Sequence, residues 1–180
     1  FSDINDNKQT ILILGGSQGA KGLNQIIINS LDDLTDFRFI HITGKTDKNL
    51  VETAYAQLFN KNDYRVFDYY ENIYELFNVA DLVVARSGAS TVAEVLTVGV
   101  PAIFVPYPSA TNDHQTKNAE IVKSKEIAEI FQEKNVKIEY FVKKLKDMLN
   151  DEDLRNKAKK IGEEFKENNF CHKFYSILKM

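Results

Sequence analysis

Short runs of apolar residues, the first five rich in β-branched and aromatic side chains, alternate along this chain with longer segments of helical period. Thr10 to Leu14, Phe37 to Ile42, Tyr64 to Phe67, Leu82 to Ala85, Ala102 to Val105 and Ile127 to Phe131 read as strands. Between them, Gly22 to Leu34, Lys48 to Phe59, Ile73 to Val79, Ala89 to Val98 and His114 to Lys123 are each long enough to cross back and begin a parallel strand. Repetition of this βαβ unit predicts an α/β fold, a parallel sheet wound right-handed and covered by helices on both faces. Ligands of such sheets bind outside the carboxyl ends of the strands, so function is to be sought in the strand-to-helix loops.

With 180 residues and 43% hydrophobic content, one buried core and a single domain over residues 1–180 are expected. Residues 1–8 form an irregular polar lead-in, and 135–180 become Lys/Glu-rich and helical, with breaks near Asn150 to Asp151 and Asn168 to Asn169. These last segments read as solvated surface helices. The 23 basic and 26 acidic residues are mixed along the chain for a net charge of -3, which offers no basic field for nucleic acid or anionic lipid. Cys171 stands alone, without a CxxC or Cys/His cluster, so neither an internal disulfide nor a zinc site is expected and a reducing, cytoplasmic setting fits. The longest apolar stretch, Val98 to Val105, contains Gly99 and Pro101 and falls far short of the roughly 20 residues of a membrane span. The start at Phe1 lacks the character of a signal peptide and suggests a piece excised from a longer protein. The acidic triplet Asp151, Glu152, Asp153 reads as the first turn of a helix, complementing its dipole, rather than as a metal-binding DxD.

Three loops carry candidate chemistry. Gly15-Gly16-Ser17-Gln18-Gly19-Ala20 lies between an apolar strand and an amphipathic helix. Glycines let the backbone approach an anion closely, and helix-start amides with the Ser17 hydroxyl can donate to phosphate oxygens. The loop has neither GxGxxG order nor a GKS/GKT ending, and the second strand runs into His41-Ile42-Thr43-Gly44-Lys45 instead of ending on an acid, so a dinucleotide cofactor is disfavoured. The second loop, Arg86-Ser87-Gly88-Ala89-Ser90-Thr91-Val92-Ala93-Glu94, opens another helix. Amides of Ala89, Ser90 and Thr91 suit a diphosphate and Glu94 suits paired ribose hydroxyls, yet Thr91 to Glu94 equally spells a capping box. The third, Ser109 to Ala119, is dense in uncharged hydrogen-bonding groups; His114 and Gln115 suit sugar hydroxyls, while Thr111, Asn112 or Asp113 could simply cap the helix.

The strings Ile11 to Ala20 followed by Leu23-Asn24, then Ala80 to Glu94, then Asp113 to Ala119 resemble, in order and spacing across essentially the whole chain, the MurG family. These are the bacterial peptidoglycan N-acetylglucosaminyltransferases, which transfer GlcNAc from UDP-GlcNAc to undecaprenyl-diphospho-muramoyl-pentapeptide, turning lipid I into lipid II. The resemblance implies two Rossmann-like domains in the GT-B arrangement, this chain matching the carboxyl-terminal, donor-binding one. It implies that Gly16 and Ser17 contact the diphosphate, that Ala89, Ser90 and Thr91 hold it at a helix start, and that Glu94 binds the ribose. Tyr70 falls where the backbone recognises uracil, Tyr69 beside the base, Gln115 where a glutamine reads GlcNAc hydroxyls, and His114 in place of a polar neighbour. The family's amino-terminal glycine-rich loop with its histidine, and its linker arginine, have no counterpart here. The resemblance therefore implies no catalytic residue in this chain: the general base belongs to the acceptor domain, which binds lipid I, and the chain alone holds the donor without transferring it. Neither cofactor nor metal is implied, and the whole enzyme is expected peripherally at the cytoplasmic face of the cell membrane. Two other readings remain open from the sequence: a separate donor-binding subunit, as in the eukaryotic dolichol-linked GlcNAc transferase, and a non-catalytic nucleotide-sugar-binding protein.

Overall fold

The computed structural model describes residues 8–15, 20–108 and 113–167. Its six strands are β1 (Thr10–Leu14), β2 (Arg38–Ile42), β3 (Tyr64–Phe67), β4 (Leu82–Ala85), β5 (Ala102–Phe104) and β6 (Ala128–Ile130). Helices α1 (Lys21–Ile28), α2 (Lys48–Leu58), α3 (Ile73–Asn78), α4 (Ala89–Val98) and α5 (His114–Lys123) connect them in turn. After β6 come α6 (Ile138–Asn150) and α7 (Glu152–Glu167). All strand pairs are parallel, in the order β3-β2-β1-β4-β5-β6, so the winding reverses between β1 and β4. The carboxyl ends on either side of that reversal splay their loops apart and open a crevice.

Alternation along β1 sorts the core into two layers. Ile11 and Ile13 face α1, α2 and α6, whereas Leu12 and Leu14 face α3, α4 and α5. The expected elements are present with trimmed ends, and the first helix is shorter than its hydrophobic period predicts. It ends at Ile28, and the chain continues through a 3-10 turn at Leu31–Asp33. Buried Ser30 explains the break: its hydroxyl donates to the Ile26 carbonyl at 2.8 Å, a back-bond that bends helices.

The carboxyl-terminal helices are more than a solvated surface. Phe141, Val142, Leu145, Met148 and Leu149 of α6 are buried in the layer beneath α1. Helix α7 lays Ala158 and Gly162 against the end of α4, where Gly99 (φ 76°) closes that helix in a left-handed conformation. Its own start is a cap: Asp151 Oδ1 accepts from the Leu154 amide at 2.8 Å, and Glu152 and Asp153 fill the first turn. The acidic triplet is accounted for by that geometry. Among the described residues, no helix is long and apolar enough to cross a membrane.

Candidate functional site

A cleft of about 920 Å³ lies at the carboxyl edge of the sheet, and five strands contribute to its wall. Leu14 and Gly15 follow β1, Ile42 and Lys45 belong to β2 and its loop, and Asp68, Tyr69, Tyr70 and Ile73 come from β3 and the start of α3. Arg86, Gly88 and Thr91 follow β4, and Tyr107 and Gln115 follow β5. The two halves of this wall straddle the reversal between β1 and β4, where the fold predicts a ligand.

The two glycines in the wall differ in purpose. A Cβ on Gly15 would stand 3.1 Å from the Ile42 carbonyl oxygen and 3.2 Å from Ala20 Cβ, so the close approach of β1 to β2 favours glycine there. A Cβ on Gly88 would meet nothing within 4 Å. The fold does not need glycine at 88; its absence of side chain leaves backbone bare at the cleft. Gly88 is the N-cap of α4 and no side chain caps this helix. Thr91 is therefore the third helical residue, not a cap, and the capping-box reading of Thr91 to Glu94 is not realised. Ala89 and Ser90 occupy the first two helical positions, between the wall residues Gly88 and Thr91, with Ser90 exposed.

Glu94 stands one turn beyond Thr91 on the same side of α4, adjoining the wall without being part of it. It is half-buried and has no hydrogen-bond or ion-pair partner among the described residues. Burial raises its carboxyl group from 4.5 to about 7. Such a carboxylate is suited to a ligand that brings its own donors.

Tyr69 and Tyr70 both line the cleft, in different ways. Tyr69 is 66% exposed, and its amide donates to Asp68 Oδ1 at 3.0 Å. Tyr70 packs its ring edge-on against Phe67, with ring centroids 5.0 Å apart. On the other side, Gln115 Oε1 accepts from the Tyr107 amide at 2.9 Å, which leaves its Nε2 group free to donate. His114 is exposed and does not reach the wall. Asp113 takes the N-cap position of α5 at φ 57°, but its Oδ1 accepts from the Thr116 hydroxyl at 2.6 Å rather than from a backbone amide. Gly16, Ser17, Thr111 and Asn112 lie outside the described residues.

Two cations in the wall escaped the sequence reading. Lys45 is exposed, and the loop that carries it is tied down from below by a buried network. Asn24 Nδ2 donates to the Thr43 carbonyl at 3.1 Å and to Asp47 Oδ2 at 2.8 Å. His41, which burial pushes down to about 3 and so keeps neutral, donates from Nε2 to Asn24 Oδ1 at 3.0 Å. The Tyr55 hydroxyl donates to His41 Nδ1 at a longer 3.4 Å. The second cation, Arg86, is buried and pairs with Glu133. An arginine directly after a wholly apolar strand was the available signal, since burying it demands partners. Among the described residues, no group of three or more His, Cys, Asp or Glu side chains is arranged to hold a metal ion.

Comparison with known proteins agrees with this architecture. The chain matches the glycosyltransferase family 28 C-terminal domain over residues 10–171. It is 38% identical over 155 residues to the UDP-N-acetylglucosamine--N-acetylmuramyl-(pentapeptide) pyrophosphoryl-undecaprenol N-acetylglucosamine transferase of Sulfurihydrogenibium sp. (strain YO3AOP1), covering 86% of this chain and 42% of that protein. The same-named protein of Pediococcus pentosaceus is 32% identical over 166 residues, covering 89% and 46%. The chain thus spans less than half the length of these relatives. Among solved structures, Acinetobacter baumannii MurG superposes with a TM-score of 0.78 at 32% identity, over 89% of this chain and 47% of that one. The Streptomyces nogalater glycosyltransferase SnogD shares the fold at a TM-score of 0.71 and 18% identity, over 98% of this chain and 45% of that one. This chain, a parallel sheet with the Rossmann-like architecture of the carboxyl-terminal half of a GT-B glycosyltransferase, belongs to the glycosyltransferase family 28 C-terminal domain family.

Proposed function

We propose that this chain is the donor-binding domain of the transferase that moves GlcNAc from UDP-GlcNAc to undecaprenyl-diphospho-MurNAc-pentapeptide in peptidoglycan synthesis. The observation that carries the reading is that the three strings resembling that family all reach one cleft, through Gly15, Thr91 and Gln115, where Tyr69 and Tyr70 of the β3–α3 loop join them. Uracil lies against Tyr69 and the backbone of Tyr70. The ribose reaches Glu94, the diphosphate is held at the α4 start by Ala89, Ser90 and Thr91 with Gly16 and Ser17 as further contacts, and the sugar meets Gln115. His114, exposed outside the wall, is assigned no contact.

In the reaction, the acceptor 4-oxygen forms a bond to the anomeric carbon as the bond from that carbon to the β-phosphate oxygen breaks. The hydroxyl proton passes to a general base, and UDP leaves with the bonding electrons. The part contributed by this chain is the leaving-group side. Uncapped α4 amides and the Lys45 ammonium stabilise the charge that develops on the diphosphate. The base and the lipid acceptor site belong to a second domain, corresponding to the rest of the relatives' length, and the assembled enzyme acts at the cytoplasmic face of the membrane as a peripheral protein.

Isothermal titration calorimetry of the 180-residue chain tests the reading. Saturable binding of UDP-GlcNAc is expected, with no transfer of GlcNAc to an added lipid I analogue and hence no UDP release. A folded sample that binds neither UDP-GlcNAc nor UDP overturns it.

A further inference from the structure

We infer that Arg86 and Glu133 form a positioning pair for the sugar end of the cleft, fixing the segment Val105–Tyr107 that in turn sets the orientation of Gln115. This rests on the donor-binding reading and adds to it the machinery that makes Gln115 a selective reader.

Arg86 is 7% exposed, and its guanidinium is spread across the base of that segment. Nη1 donates to the Val105 carbonyl at 2.9 Å and to the Pro106 carbonyl at 3.1 Å, and the guanidinium lies 5.5 Å from the centroid of the Tyr107 ring. The Val105 amide is already committed to the Ala85 carbonyl at 2.9 Å, and Pro106 and Pro108 have no amide hydrogen, so beyond that sheet bond the stretch is anchored through its carbonyls and the Tyr107 amide. Arg86 takes the carbonyls, and Gln115 Oε1 takes the amide at 2.9 Å. That donor fixes the amide orientation of Gln115: the oxygen faces Tyr107, and Nε2 faces away with two hydrogens to give. The backbone of the same residue is held from the opposite side, where the Ser87 hydroxyl donates to the Gln115 carbonyl at 2.7 Å and Asn118 Nδ2 donates to the Ser87 carbonyl at 3.1 Å. Gln115 thereby offers its Nε2 hydrogens to sugar oxygens that accept.

Glu133 fixes the far end of the arginine fork through Nη2. It stands in the 3-10 turn Glu133–Asn135 after β6 and lies over the first turn of α1. A Cβ on Gly22 would overlap its carboxylate. Glycine at 22, inside a helix where alanine is intrinsically preferred, leaves room for the Glu133 carboxylate where it stands. The pair therefore bridges α1, which follows the glycine-rich loop, to the β4 and β5 loops on the opposite bank of the cleft.

The test compares UDP-GlcNAc and UDP binding to the 180-residue chain by calorimetry, in Glu133→Gln, Gln115→Ala and the double variant. Glu133→Gln keeps the side-chain shape and removes the charge. Its expected effect is about a tenfold fall in affinity for UDP-GlcNAc relative to UDP, the scale of one lost hydrogen bond, with UDP affinity itself unchanged. In the Gln115→Ala background, Glu133→Gln should lower that ratio no further, because both changes act on one contact. Hydrogen exchange at the Tyr107 amide should accelerate in Glu133→Gln without added ligand. An unchanged ratio, or equal losses for both ligands, overturns the positioning role while leaving donor binding intact. Wild-type protein that binds neither ligand overturns the donor-binding reading and this inference with it.

Discussion

Replacing Glu94 by Gln and following UDP-GlcNAc affinity between pH 6 and pH 8 separates a ribose acceptor from a carboxyl group with no ligand role. Glu94 is half-buried without a partner among the described residues, and burial raises its carboxyl group to about 7. From that value, about one molecule in eleven carries the charge at pH 6 and about ten in eleven at pH 8. Two adjacent ribose hydroxyls donate best to the charged form, so apparent affinity follows its population and rises about tenfold across the interval. The donor itself does not titrate there, because its diphosphate is esterified at both ends. At pH 7, binding should release about half a proton, visible as a dependence of the calorimetric enthalpy on buffer ionisation. Stability moves the other way. The folded state retains a proton that the unfolded chain gives up near 4.5, so the contribution of Glu94 is greatest below 4.5 and is lost as pH rises through about 7. The Gln variant should bind more weakly at pH 8, with a flat affinity profile and no coupled proton release. A flat profile in the wild-type chain, or the same slope in both proteins, refutes the assignment.

Gly99→Ala should unfold at markedly lower urea concentration. It would place an alanine at φ 76°, with its Cβ 2.5 Å from the Ala158 carbonyl oxygen and 3.0 Å from Gly162 Cα, both backbone atoms unable to rotate away. The left-handed strain and the overlap together project to about 2–4 kcal/mol, and a loss under 1 kcal/mol would contradict the tight α4–α7 contact. His41, held neutral by burial down to about 3, should keep a proton on Nε2 and show no imidazolium signal in nitrogen NMR spectra of the folded chain from pH 8 to pH 5. Because its folded value lies below 6.5, its contribution to stability is complete above 6.5 and declines as pH falls towards 3. A charged His41 in the folded state at pH 5 would contradict the network with Asn24.

The sheet was legible because its strands carry their own signature. Buried parallel strands need near-continuous hydrophobic runs rich in Val, Ile and Leu, and Thr10–Leu14 and Leu82–Ala85 supply them. The site was legible only where its residues are near neighbours in sequence. Gly88, Thr91 and Gln115 stand within loops of recognisable composition, and the resemblance supplied roles for Tyr69 and Tyr70 that isolated tyrosines could not. Arg86 and Glu133 were invisible as a pair because 47 residues separate them and nothing in either local string names the other. Lys45 looked only like a residue that is not an acid. His41 sits inside a strand flanked by apolar residues, and its meaning depends on Asn24, Asp47 and Tyr55 arriving from two helices and a loop.

Two helix starts show how far spacing alone can carry such a reading. The sequence offers an acidic first helical turn at Asp151 to Asp153 and a capping box at Thr91 to Glu94, each consistent with a satisfied helix terminus. The fold keeps the first: Asp151 accepts from the Leu154 amide, and that start is closed to any further acceptor at that position. It discards the second, because α4 begins three residues earlier, at a glycine that no side chain caps. The two termini thus divide one chemistry between them. Where the protein supplies its own carboxylate, the helix start serves stability; where it withholds one and opens the start to a cleft, the same amides are available to an anionic ligand. The other end of α4 is clamped, with Gly99 pressed against Ala158 and Gly162 of α7. The carboxyl-terminal helix, remote from the cleft in sequence, is thereby part of what holds Thr91 and Glu94 in place.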